Sequence, residues 1–169
     1  MIAHKPLNPN PMSVHVNASA PALTLYSTAK EQVNLADFQG ENAVLLLFFP
    51  QAFTGVCTNE LNMVNNDLSY YTDHGVQVFG ISTDSVFTLI EYAKVNQLNF
   101  PLLSDHDAVV ATVWGTKYPD GGFALGMSRV SKRSAFLVDR AGIIRYAEVL
   151  EKAGDLPNFE AIHAAIEAL

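Results

Sequence analysis

Seven consecutive apolar residues, Ala43 to Phe49, end abruptly at Pro50, and a helical pattern starts a few residues later. An uninterrupted apolar run of that length suits a strand buried on both faces. Proline cannot donate a ladder hydrogen bond, so Pro50 marks the strand end. Beyond Gln51-Ala52-Phe53-Thr54-Gly55-Val56-Cys57, residues Leu61, Val64, Leu68 and Tyr71 recur at spacings of three and four. Asn59, Asn62, Asn65, Asn66 and Asp67 supply the solvated face of that helix. Thr54 is placed to cap it, which puts Cys57 in the first turn. There, free amide N–H groups and the positive end of the helix dipole favour a thiolate over a thiol. Strand, tight turn and helix with a cysteine at its start form the unit around which the rest is read.

Composition narrows the class. With 169 residues, 49% of them apolar, the chain has enough material for one well-filled core. A net charge of −7 argues against a nucleic-acid partner, which would require a basic stripe. No window approaches 18 uninterrupted apolar residues, so no membrane span is expected, and the first residues lack a signal-peptide apolar segment. A single cysteine excludes an internal disulfide and points to a reducing, cytoplasmic setting.

The order of elements then fixes the architecture. Residues 1–17, with three prolines and two histidines but no periodicity, read as a flexible N-terminal arm preceding one domain over 18–169. Met12 is an alternative start within that arm. Short strands are expected at Ala22–Tyr26 and Val33–Leu35, ahead of the main strand. The first helix ends over Tyr70–His74, with Gly75 as its cap. Val76–Ser82 is a second buried strand, and Thr83-Asp84-Ser85 opens a helix carrying Val86, Leu89, Ile90 and Ala93 on one side. Strand–helix–strand–helix requires a parallel pair and an α/β fold, with Cys57 at the C-terminal edge of the sheet. Phe100–Asp105 is short and extended, and Ala108–Trp114 forms a brief helix stopped by Gly115. His106, between Asp105 and Asp107, reads as part of a solvated helix start rather than a metal site. Residues 116–131 form a long loop, either a hairpin, from the alternation of Phe123, Leu125 and Met127, or a functional lid. Lys132–Asp139 and Ile143–Val149 are hairpin strands, and Asn158–Leu169 is an amphipathic helix with Phe159, Ile162 and Ile166 inward. His163 reads as a surface histidine of that helix.

A lone cysteine often serves as a small buried hydrophobe. Here Pro50, Thr54 and Cys57 spell P-x-x-x-T-x-x-C between a buried strand and a helix. That motif, in that context, resembles the signature of the peroxiredoxins, thiol peroxidases of the thioredoxin superfamily. APALTL, GISTDS, FPLLSD and RSAFLVD resemble family segments more loosely, over about residues 20–150. FFPQAFTGVC, RSAFLVD and DRAGIIRYAE are most similar to the alkyl hydroperoxide reductase E subfamily, while the long 116–131 loop is closer to the bacterioferritin comigratory proteins.

The resemblance implies a thioredoxin-like fold, a central mixed β-sheet flanked by helices. It implies that Cys57 attacks hydrogen peroxide and organic hydroperoxides and becomes a sulfenic acid. By the same resemblance Arg133 faces the thiolate, the Thr54 hydroxyl binds the peroxide oxygens, Pro50 shields the centre from water, and Glu60 orients the arginine. No cofactor or metal is implied. An unperturbed thiol, of pKa about 8.5, is only ~3% ionised at pH 7, so charge-stabilising donors matter. Asn62 stands five residues after Cys57, where one subfamily carries a resolving cysteine. The implied mechanism therefore uses one cysteine and an external reductant: a low-molecular-weight thiol, thioredoxin or a glutaredoxin-like protein. A homodimer is expected, with Phe53 as an interface aromatic. The rival reading is a thioredoxin-like redox-sensing or binding module with little peroxidase turnover.

Overall fold

The computed structural model describes residues 14–169, in which seven strands form one mixed sheet of order β2-β1-β5-β4-β3-β6-β7. The strands are β1 (Thr24–Ser27), β2 (Gln32–Asn34), β3 (Ala43–Phe48), β4 (Val76–Ser82), β5 (Leu102–Ser104), β6 (Ser134–Val138) and β7 (Ile144–Val149). Both β3–β4 and β4–β5 are parallel, and the other pairings are antiparallel. The helices are α1 (Gly55–Asn66), α2 (Leu68–Asp73), α3 (Val86–Val95), α4 (Val109–Val113) and α5 (Phe159–Glu167).

The apolar run of β3 explains the layering. Alternate side chains point to opposite faces, so Leu45, Leu47 and Phe49 join Leu61, Leu89, Ile162 and Ile166 in one core. Val44, Leu46 and Phe48 join Val110, Trp114 and Phe136 in the other. Every residue of β3 is buried, as a central strand covered on both faces requires. Each such leucine contributes about 1.5–3 kcal/mol of burial. Gly80 lets α1 and β5 close on β4: a Cβ there would sit 2.6 Å from the Leu102 Cδ2 atom.

Several elements differ from the sequence expectation. The helix behind Cys57 breaks at Asp67 (φ −107°, ψ 16°), so α1 and α2 are separate. Asparagines are weak helix formers because their amides compete for backbone partners. Asn65, one residue before the end of α1, ties the helix to the segment after α3, donating to the Gln97 carbonyl at 3.1 Å and accepting from the Asn99 amide at 2.7 Å. Asp105 is not solvated. It is 3% exposed, and its carboxylate accepts the Val110 and Ala111 amides at 3.1 and 2.7 Å. Ala108, in the left-handed region at φ +56°, turns the chain so that the α4 amides face it. His163 is half-buried rather than superficial. Its ring lies 4.2 Å from that of Tyr70, and Nε2 is 3.2 Å from the Tyr71 hydroxyl, which ties α5 to α2.

Of the arm expected over 1–17, residues 1–13, Met12 included, lie outside the described residues. Asn17 bonds β7, its amide donating to the Ile144 carbonyl at 2.8 Å. Among the described residues no helix is long and apolar enough to cross a membrane.

Candidate active site

The C-terminal ends of β3 and β4 create the site. After Phe48 the chain turns through Pro50, which is buried, and Ala52, whose amide donates to Asp84 Oδ2 at 2.9 Å. Ser82, at the end of β4, donates its hydroxyl to the same oxygen at 2.6 Å. Asp84 thus clamps the turn after β3 to the exit of β4. Phe53 adopts φ +61°, uncommon for a non-glycine residue, and its ring packs edge-on to Tyr92 at 5.0 Å.

Thr54 occupies the N-cap position of α1, but its hydroxyl donates to the Gln51 carbonyl at 2.8 Å and does not cap the helix. The expected side-chain cap is absent because a nearer carbonyl competes for the hydroxyl. The first backbone bond of α1 runs from the Thr58 amide to the Thr54 carbonyl, so the amides of residues 55–57 lie ahead of the ladder. Cys57 is in this turn and only 2% exposed.

Arg133 immediately precedes β6, the antiparallel neighbour of β3, and its side chain reaches back under α1. Its Nη2 lies 3.3 Å from Cys57 Sγ and 3.0 Å from the Ala153 carbonyl, and its Nη1 pairs with Glu60 Oε2. Arg133 is 1% exposed and Glu60 is fully buried. Burial works against the Arg133 charge, but Glu60 and Cys57 outweigh it and hold the guanidinium protonated. Burial pushes the Glu60 carboxyl up to about 7, against the opposing pull of Arg133. Two polar atoms of this ion pair, Glu60 Oε1 and Arg133 Nε, have no hydrogen-bond partner.

A cavity of about 230 Å³ opens onto the sulfur and is lined by Pro50, Thr54, Val56, Cys57, Phe123 and Arg133, with Ala153 and Gly154 at its side. The structure therefore gathers Pro50, Thr54, Cys57 and Arg133 around one space, with Glu60 behind the arginine. Sequence reasoning missed Phe123, Asp84 and the Ala153 carbonyl. Phe123 was visible only as one of an alternating set. Asp84 lay within GISTDS, but nothing local shows that its carboxylate faces a loop 32 residues away. In the 116–131 loop isolated bridges pair Lys117 with Ser131 and Phe123 with Met127, as in the hairpin alternative, and Phe123 borders the cavity.

The arrangement can hold a sulfur anion beside a fixed cation, with a hydroxyl and free amides nearby, inside an apolar pocket. Comparison with known proteins gives the family. The AhpC/TSA family matches residues 16–147. The chain is 36% identical over 139 residues to alkyl hydroperoxide reductase E of Mycobacterium tuberculosis (strain H37Rv), covering 80% of this chain and 86% of the relative. It is 40% identical over 130 residues to peroxiredoxin Bcp of Escherichia coli (strain K12), covering 75% and 80%. The crystal structure of peroxidoxin BcpB from Mycobacterium tuberculosis superposes with a TM-score of 0.79 at 25% identity, over 91% of this chain and 97% of that one. The chain thus belongs to the AhpC/TSA family: it is a peroxiredoxin, a thiol-dependent peroxidase.

Proposed function

We propose that Cys57 is the peroxide-reactive nucleophile of a one-cysteine cycle acting on hydrogen peroxide and organic hydroperoxides. The observation that carries this reading is the 3.3 Å approach of Arg133 Nη2 to Cys57 Sγ at the base of an apolar pocket. The guanidinium stabilises the thiolate and then the negative charge on the departing oxygen, because it stays charged and offers fixed donors. The Thr54 hydroxyl binds the peroxide oxygens, and Pro50 walls the sulfur from bulk water. Glu60 fixes the Arg133 fork from behind. Attack leaves a sulfenic acid on Cys57 and releases water or an alcohol.

Recovery requires an external thiol, since the chain holds no second cysteine. A low-molecular-weight thiol fits a sulfur that is 2% exposed within a cavity of about 230 Å³ better than a protein surface does. Assembly is as a homodimer, with the ring of Phe53, 57% exposed, at the contact. The test follows peroxide consumption with a small thiol, thioredoxin or a glutaredoxin as reductant, trapping the sulfenic acid with dimedone. Multiple turnovers with a thiol, absent in Cys57→Ser, are expected. Trapping of one equivalent with no turnover under any reductant would overturn the cycle and favour a redox-sensing module.

A further inference from the structure

Glu60 carries more information than an orienting role requires. The buried trio holds one cation, Arg133, between two acids, Cys57 and Glu60. Among the described residues Arg133 is the only hydrogen-bond partner of the Glu60 carboxylate, and Oε1 is left bare. Two adjacent anions on one buried cation would leave an uncompensated charge in a water-poor interior, which is strongly unfavourable. Among the described residues no second cation pairs with either acid. Tyr92 on α3, pushed up by burial to about 12, is neutral and engaged with Thr58. Asp84 would add negative charge. Lys132, beside the Tyr118 ring, is paired with Glu151 at 2.8 Å.

We propose that Cys57 and Glu60 share one proton across Arg133, so that Glu60 is the neutral acid while Cys57 is the thiolate and gives up its proton when the sulfur is oxidised. This rests on the peroxidase reading above and adds a proton store to it. The thiolate donates an electron pair to one peroxide oxygen, the S–O bond forms and the O–O bond breaks. The attacked oxygen keeps its hydrogen and gives Cys57–SOH, and the other oxygen leaves as alkoxide or hydroxide. The leaving oxygen takes one proton to become alcohol or water, and Glu60 releases one, so thiolate, hydroperoxide and carboxylic acid become sulfenic acid, alcohol and carboxylate. Loss of the sulfur charge frees Arg133 to hold Glu60 as an anion. Glu60 acts through the arginine and is a positioning residue with a defined protonation change. A site of this kind completes its first half-reaction without drawing a proton from solution.

The experiment oxidises reduced protein with one equivalent of hydroperoxide at about pH 7.5 in weak buffer. An indicator dye counts protons, infrared difference spectroscopy reads the carboxyl groups, and intact mass confirms one oxygen on Cys57. The expected infrared result is loss of a protonated-carboxyl band on oxidation, shifted by glutamate labelled with 13C at the side-chain carboxyl. That band is absent at the same pH from Cys57→Ser, whose hydroxyl leaves Arg133 free to hold the carboxylate. The expected proton count is zero per Cys57 in the wild type and one taken up per Cys57 in Glu60→Gln. No acid band in the reduced wild type, a band that survives oxidation, or zero uptake in Glu60→Gln would overturn the proposal. Mass showing no oxygen on Cys57 would instead overturn the peroxidase reading itself.

Discussion

Glu60 and Asp105 are both buried carboxylates, yet their surroundings differ. Both Asp105 oxygens are engaged by amides at the start of α4, so its charge is spread over donors that the fold already had to satisfy. Burial still raises its pKa, opposed by those amides. Glu60 has one oxygen on Arg133 and one on nothing. A satisfied buried acid is a structural cap. An unsatisfied one sharing its only cation with a thiol belongs to the chemistry, since incomplete pairing is stable only where the arrangement serves another end.

Removing the shared cation should break that contrast most severely. Arg133→Met is expected to slow Cys57 oxidation by roughly a hundred- to a thousandfold, read by quenched-flow mass spectrometry. It also leaves the one negative charge shared by Cys57 and Glu60 without a cation, so denaturant melts should show a loss of about 3–5 kcal/mol that shrinks at lower pH as that charge takes up a proton. Thr54→Val should cost roughly tenfold to a hundredfold in oxidation rate, largely restored in Thr54→Ser. No recovery with serine would mean that the hydroxyl is not what the site uses.

Asp105→Ala tests the other side. It orphans two buried amides, so stability should fall by about 2 kcal/mol while the oxidation rate stays within about twofold of wild type. A large rate loss there would erase the distinction between cap and chemistry. The last effect is a slope, spread over the pH range rather than seen as a step. Because Glu60 binds its proton more tightly in the folded state, with its pKa lifted from 4.5 to about 7, it contributes stability that is full below pH 4.5 and is lost as pH rises to about 7. Glu60→Gln should flatten that part of a stability-versus-pH curve, a change on the order of 3 kcal/mol at most.

How legible these features were depended on how local their causes are. β4 has the bounds expected, Val76–Ser82, because periodicity, a preceding glycine and a following turn all agree. The strand–turn–helix around Cys57 was equally plain. The Thr54 cap was not, because choosing between an amide and the Gln51 carbonyl depends on the turn geometry after Pro50. Asp105 was misread because Asp-His-Asp looks solvated in sequence, whereas its burial follows from the left-handed turn at Ala108. The approach of Arg133 to Cys57 spans 76 residues and emerges only from the antiparallel pairing of β6 with β3. Only resemblance, not pattern, brought the two together from the sequence.

The most direct test is the rate at which one equivalent of hydroperoxide adds an oxygen to Cys57, compared among wild type, Asp105→Ala and Arg133→Met. Intact mass is the appropriate readout, since Trp114 packs against Phe48 and Phe136 on the opposite face of the sheet. Fast oxidation in the first two proteins and a loss of at least roughly a hundredfold in the third is the predicted result. Oxidation of the wild type no faster than that of a free thiol, or an Arg133→Met variant as fast as wild type, would contradict it.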